Sequence, residues 1–192
     1  RFVDPADGQA YTYSQFEVPD ARRVYTTFEQ PDLKSTFTLT VKAPKGWKVF
    51  SNAPTPTPEE EGEAWVYRFA TTEVMSTYIT AIVAGPYEGT TATLTSSDGR
   101  TIDLGVYARA SIVEHLDADE IIEITRQGFE FFEGAYGIAY PFTKYDQIFV
   151  PEYNAGAMEN AGCVTFRDAY VFRTRPTEAQ MEARANTILH EL

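Results

Sequence analysis

The polar–apolar pattern changes character at about Arg109. Thr36-Phe37-Thr38-Leu39-Thr40-Val41 alternates with period 2, the signature of a strand with one buried face. Trp65-Val66-Tyr67-Arg68-Phe69 alternates less regularly. Residues 78–84 are more continuously apolar, as expected of a strand covered on both faces. Asp98-Gly99 sits between the runs 93–95 and 101–106 and predicts a hairpin turn, because glycine takes positive φ without steric cost. Between Ser51 and Gly62, Pro54, Pro56 and Pro58 precede Glu59-Glu60-Glu61. That segment reads as an exposed acidic loop stiffened by proline.

From about Arg109 the period lengthens. Asp117 with Glu120 resembles a capping box, and a helix is predicted from there to about Tyr136. It should bury Ile121, Ile124 or Ile122, Gly128, Phe131 or Phe132, and Ala135, with Gly137 as C-cap. Residues 147–150, 163–166 and 170–172 read as short strands. Thr177 and Gln180 form a second capping box after Pro176. The helix it opens places Met181, Ala185, Ile188 and Leu192 on one stripe. The pattern therefore predicts an α+β chain, β-rich over residues 1–108 and mixed α/β over residues 109–192.

Composition narrows the partners. The 192 residues hold 28 acidic and 16 basic side chains, a net charge of −12. That balance argues against nucleic acid, which selects a basic footprint, and against docking on an anionic membrane. No apolar run approaches the roughly 18–20 residues of a membrane span. The aromatic content of 14% is too high for a disordered acidic tail. One cysteine, Cys163, excludes an internal disulfide framework. No paired His or Cys spacing makes it a metal ligand or nucleophile, and it reads as a buried free thiol on a strand. The chain starts at Arg1 and stops at His190-Glu191-Leu192 inside a predicted helix, so a piece of a longer protein is expected. Oligomeric state is not legible.

Two clusters carry candidate chemistry. A helix presenting His, then Glu, then a second His at i, i+1 and i+4 holds a metal. Both imidazoles lie on one face, and the Glu stands where it can take a proton from zinc-bound water. Only His190-Glu191, the first half of that device, is present, so taken alone these residues read first as a surface His beside a surface Glu. His115 reads as a surface residue at a helix entry. Gly156-Ala157-Met158-Glu159-Asn160 follows Pro151 and belongs on a loop or a sheet edge. Its small pair lets a peptide backbone approach closely. An extended substrate can pair with such an edge, and Glu159 can hold an ammonium group. A turn that happens to contain a carboxylate is the alternative.

Taken together, Gly156-Ala157-Met158-Glu159-Asn160 upstream of His190-Glu191 resembles the aminopeptidase N family of zinc metallopeptidases. Tyr13-Ser14-Gln15-Phe16-Glu17, with Asp20-Ala21-Arg22-Arg23 and Phe28-Glu29-Gln30-Pro31, is similar to a segment near the start of that family's substrate-binding β domain. Met75-Ser76-Thr77-Tyr78 is similar to a family strand entry. Tyr140-Pro141-Phe142 and Val150-Pro151-Glu152-Tyr153-Asn154 resemble the run into the exopeptidase motif. The resemblance spans essentially the whole chain in the family's order.

The resemblance implies a gluzincin-type enzyme that removes N-terminal residues from peptides with a free N-terminus. It implies one Zn2+ held by His190 and further ligands, with Glu191 as the general base. Glu159 and Glu17 would bind the substrate α-ammonium, Gly156 and Ala157 would offer backbone groups to the scissile peptide, and Gln15 and Ala155 would lie near the first side-chain pocket. The family's second His, downstream Glu ligand and oxyanion-stabilising Tyr are not in this sequence. As it stands, the chain is expected to lack a complete zinc site and to be inactive alone. The implied fold is a β-rich saddle or sandwich-like domain over 1–108, then the truncated start of a thermolysin-like α/β catalytic domain over 109–192. A cytoplasmic location is expected from the single cysteine and the likeness to soluble bacterial members. The alternative function is a non-catalytic peptide-binding module of the same fold. An epoxide-hydrolysing relative is disfavoured by the Gly-Ala-Met-Glu-Asn form of the motif together with Glu rather than Gln at position 17. A final helix cut short should leave Ile188, Leu189 and Leu192 uncovered, an aggregation liability.

Overall fold

A computed structural model describes residues 1–192 and divides them into two units: Arg1–Tyr87 with Asn160–Cys163, and Glu88–Glu159 with Val164–Leu192. The first unit contains β1 (Phe2–Val3), β2 (Ala10–Tyr13), β3 (Thr40–Pro44), β4 (Lys48–Ser51), β5 (Glu59–Glu61), β6 (Ala64–Arg68) and β7 (Ile82–Gly85). Four of these form a sheet in the order β1-β2-β7-β4, and three form another in the order β3-β6-β5. The predicted alternation around β3 is real. Exposure alternates from Phe37 to Val41, and the Phe69 and Thr72 amides donate to the Leu39 and Phe37 carbonyls, both at 2.9 Å.

Two expectations for this unit change. Glu59-Glu60-Glu61 is not a loop tip but β5, an edge strand paired antiparallel with β6. Arg68, Lys45 and Lys42 face it, with N–O separations of 3.2, 3.0 and 2.6 Å. These cations relieve the like-charge crowding that would otherwise oppose a strand of three glutamates. The apolar run at 78–84 is only partly strand. Thr77–Ile79 is a 3-10 turn before β7. The buried Asn52 side chain serves the backbone there, donating to the Ile79 carbonyl at 2.8 Å and accepting from the Ala81 amide at 2.9 Å.

The second unit is built on β8 (Tyr87–Thr95), β9 (Thr101–Arg109), β10 (Lys144–Val150), β11 (Ala157–Met158) and β12 (Cys163–Arg167), with helices α1 (Ala118–Tyr136) and α2 (Glu178–His190). The sheet order is β11-β12-β10-β9-β8. The change of period at Arg109 is therefore not where the units part. β9 pairs in parallel with β10, from Asp103↔Lys144 to Tyr107↔Ile148, and so belongs with the strands on its C-terminal side. A parallel pair needs a crossover, and α1 supplies it. The predicted turn forms between β8 and β9, with Gly99 at φ +85 and its amide donating to Ser96 at 2.9 Å. These strands run so close that a Cβ on Gly89 would lie 1.9 Å from the Val106 carbonyl oxygen.

The core of this unit gathers Ile102, Leu104 and Val106 from β9, Phe149 from β10, Phe166 from β12, Ile121 and Phe129 from α1, and Ile188 from α2. Helix α1 ends as predicted: Gly137 is left-handed and its amide donates to the Glu133 carbonyl. Of the residues expected inside, Ile121, Ile122 and Gly128 are buried and Phe132 is half-buried; only toward the C-terminal end does the buried face differ. Ile121, Ile122, Thr125, Gly128, Phe129 and Glu133 are inside, while Phe131 and Ala135 are exposed. At its start neither Asp117 nor Glu120 caps the helix, because both carboxylates pair with Arg184 instead.

Residues 170–172 form no strand. A 3-10 turn, Asp168–Tyr170, follows β12, and the Tyr170 carbonyl is taken by Arg184 rather than by a ladder. The Thr177–Gln180 capping box at the head of α2 has both of its bonds. Met181 is exposed and Ala185 half-buried, so the buried line of α2 is Arg184–Ile188 rather than the predicted stripe. Ile188, Leu189 and Leu192 are covered in part rather than left open. Ile188 is fully inside, but Leu189 and Leu192 are only half-buried: one side lies over Gly128 of α1, where an added Cβ would come within 2.7 and 3.2 Å of their methyls, and the other stays open. Cys163 is buried and forms no disulfide. No helix is long and apolar enough to cross a membrane.

Candidate active site

Pro151 ends β10, and the chain returns to the sheet at Gly156. The Gly156 carbonyl accepts from the Arg167 amide at 3.0 Å. Ala157 then pairs with Phe166, and Met158 with Thr165. Of the two placements open to this segment, it takes the sheet edge, where an extended peptide can add a strand. Alternation sets the side chains: Met158 is buried, and Glu159, where the chain leaves the strand, is exposed. Ala155 is exposed, and Gly156 and Ala157 are half-buried.

The beginning of this edge lies against α2. A Cβ on Gly156 would stand 3.6 Å from Tyr170 Oη and 4.0 Å from Thr187 Cγ2. Thr187 is one turn before Glu191, whose amide donates to the Thr187 carbonyl at 3.2 Å. Tertiary folding thus brings the small-residue edge next to the helical turn that carries His190 and Glu191. His190 is exposed, whereas Glu191, the C-cap of α2, is buried. That burial removes the reading of Glu191 as a surface residue. Tyr145 of β10 donates its hydroxyl to the Glu191 carbonyl at 3.3 Å. Burial pushes the Tyr145 phenol well above its usual value, with Tyr140 and Glu191 adding to the effect, so it remains a donor.

In the first unit, Gln15, Phe16 and Glu17 follow β2. Ser14 ties their start to β7, its amide donating to the Ile82 carbonyl and its hydroxyl accepting from the Ile82 amide, both at 2.9 Å. Gln15 is half-buried and Glu17 exposed. His115 is half-buried in a 3-10 turn before α1.

A zinc ion takes three or four protein donors. No three His, Cys, Asp or Glu side chains of this chain converge. His190 is a single donor, so these residues do not by themselves make a metal site.

Sequence reasoning missed the groups that hold α2 in place: Arg184, Tyr170, Thr187 and Tyr145. The only local signal was Arg184 itself, four residues before Ile188 on the face that turns inward.

Residues 1–79 match the peptidase M1 N-terminal domain, and residues 120–192 match the peptidase family M1 domain. Over all 192 residues the chain is 59% identical to Aminopeptidase N of Streptomyces lividans, covering 100% of this chain and 22% of that protein. The chain belongs to peptidase family M1. Its sheet-rich architecture with two helices fits an M1 N-terminal domain followed by the start of the M1 catalytic domain. The contact boundary at Tyr87 falls between the two M1 matches. The M1 chain is also 34% identical over 200 residues to Probable aminopeptidase 1 of Saccharolobus solfataricus, covering 100% of this chain and 24% of that one. Against Aminopeptidase N of Homo sapiens it is 33% identical over 187 residues, covering 93% and 19%. It thus spans about a fifth to a quarter of the length of these curated relatives.

Proposed function

We propose that the full-length protein is a zinc-dependent aminopeptidase, removing residues one at a time from the N-terminus of peptides. The observation that carries this is the entry to edge strand β11 at Gly156, beside the last turn of α2 with its His190-Glu191. The names of the relatives, aminopeptidases in each case, support the same activity. In this reading the second unit is the opening of a thermolysin-like catalytic domain, and the first binds substrate.

An exopeptidase must distinguish a chain end from a chain interior, and the distinguishing group is one positive charge. Glu159 and Glu17 are assigned to that ammonium, where charge-assisted hydrogen bonds are roughly twice as strong as neutral ones. The backbone of Gly156 and Ala157 lies along the scissile peptide, and Gln15 and Ala155 border the pocket for the first side chain. Glu191 is the general base toward the attacking water. His190 is one zinc ligand, joined by donors that this chain does not contain. Bound zinc would supply a Lewis acid for the reacting carbonyl and water. The residues 1–192 alone are expected to be inactive. The proposed location is cytoplasmic, resting on one unbridged cysteine.

The test uses the full-length protein with two peptides of one sequence, one with a free N-terminus and one N-acetylated. Release of the first residue from the free peptide alone is expected. Equal cleavage of both, or of neither, overturns the proposal; tight binding of the free peptide without cleavage would indicate a binding module instead.

A further inference from the structure

Tyr170 is held at both ends by one helix. Its carbonyl accepts from Arg184 Nη1 at 3.2 Å, and its hydroxyl lies 3.0 Å from Thr187 Oγ1. Positions 184 and 187 are neighbours on one helical face, about 4.5 Å apart along the axis. The tyrosine is therefore strapped lengthwise along α2. Thr187 donates its own proton to the Ala183 carbonyl at 2.8 Å, so Tyr170 is the donor in the bond between the two hydroxyls. The other end of the turn is pinned as well. Asp168 takes Arg109 Nη2 at 2.8 Å and Nε at 3.0 Å, and that arginine, on β9, is buried. On its far side the Tyr170 hydroxyl borders Gly156, close enough that a Cβ built on that glycine would meet it at 3.6 Å.

We propose that Tyr170 is a positioning residue that sets the spacing between β11 and α2. The inference rests on the aminopeptidase reading above, in which β11 holds the substrate backbone and α2 carries His190 and Glu191. The side chain touches neither the reacting atoms nor the ammonium carboxylates. It acts through Gly156 on one side and Thr187 on the other. Looser spacing leaves the ammonium contacts intact but misaligns the peptide with the helix, so the loss falls on kcat. A misplacement of about 1 Å can cost roughly 100-fold in rate. Loss of one hydroxyl bond relaxes the spacing without forcing it open, so a smaller loss is expected.

The experiment compares full-length wild type with Tyr170→Phe, Thr187→Val, the double variant and Thr187→Ser. Each single change is expected to lower kcat about 3- to 30-fold with KM within about twofold. The double variant should be no worse than the singles, since both remove the same bond. Thr187→Ser keeps the hydroxyl and should stay near wild-type kcat. Unchanged kcat in both singles, additive losses in the double variant, or kcat and KM changing together overturns the inference. If Tyr170→Phe fails to fold, Thr187→Val and Thr187→Ser carry the comparison. Amide exchange at Arg167, which donates to Gly156, is read in parallel. Exchange there should be severalfold faster in Tyr170→Phe, and an unchanged rate overturns the inference even if no turnover is found. An inactive wild type would count against the activity reading instead.

Discussion

Replacing Arg184 with methionine removes the charge in the middle of the buried face of α2 while keeping most of the apolar stem. The guanidinium is 1% exposed, with Nη1 3.1 Å from Asp117 and Nη2 2.6 Å from Glu120. It also bonds the Tyr170 carbonyl at 3.2 Å and lies 4.5 Å from the Phe172 ring centroid. Were both acids buried, deleting the cation would strand them at about 3–5 kcal/mol. They are 51% and 42% exposed, so water can take them back. Their pairing is worth only about 0.2–1 kcal/mol each. The stranded Tyr170 carbonyl costs about 1–3 kcal/mol and the lost ring contact about 0.5–2 kcal/mol. Against these stand the relief of Arg184 Nε, which is buried without a hydrogen bond, and the new contacts of methionine. A net loss of about 2–4 kcal/mol is expected, concentrated on α2. Hydrogen exchange in the full-length protein reads this locally: α2 amides should exchange about 30- to 1,000-fold faster, at one decade per 1.36 kcal/mol. Wild-type protection of α2 in Arg184→Met would refute the reasoning, since the cluster would then contribute nothing to holding the helix.

Glu133 predicts an acid effect. Burial alone would raise its carboxyl, but hydrogen bonds from the Ser96 hydroxyl and the Tyr140 and Ser97 amides hold it below the usual value. A depressed carboxyl contributes stability that is complete above the ordinary Glu value of about 4.3 and lost as pH falls through its folded value. Glu133→Gln should therefore flatten the acid limb of stability against pH in urea unfolding, and an unchanged limb contradicts the assignment. Gly89→Ala puts a Cβ 1.9 Å from a backbone oxygen that cannot rotate away. A loss of about 3 kcal/mol or more is expected as β8 and β9 are pushed apart; a wild-type melting temperature would show that the strands accommodate it. Glu191→Gln in the full-length protein should keep its zinc by elemental analysis while turnover falls about 100-fold or more. Retained turnover would remove the general-base role.

What was legible in the sequence was what neighbours decide. Gly137, the Thr177–Gln180 box and the Asp98-Gly99 turn act through backbone groups within four residues, and all three form. Asp117 with Glu120 looks the same in sequence and does something else, because Arg184, 67 and 64 residues away, competes for both carboxylates. The acidic triplet at 59–61 misled for a similar reason, since the cations that let it pair come from β3, β6 and the turn after β3. At the site, residue types were readable from the motif. The packing of Gly156 against Tyr170 and Thr187 was not, because long-range contacts of a 3-10 turn set it.

The central claim is recognition of a free chain end by a carboxylate at the edge strand. It is tested most directly by kcat/KM of full-length Glu159→Ala on a peptide with a free N-terminus. A loss of more than about tenfold, or 1.4 kcal/mol, is predicted. Near-wild-type kcat/KM on that peptide would contradict the account.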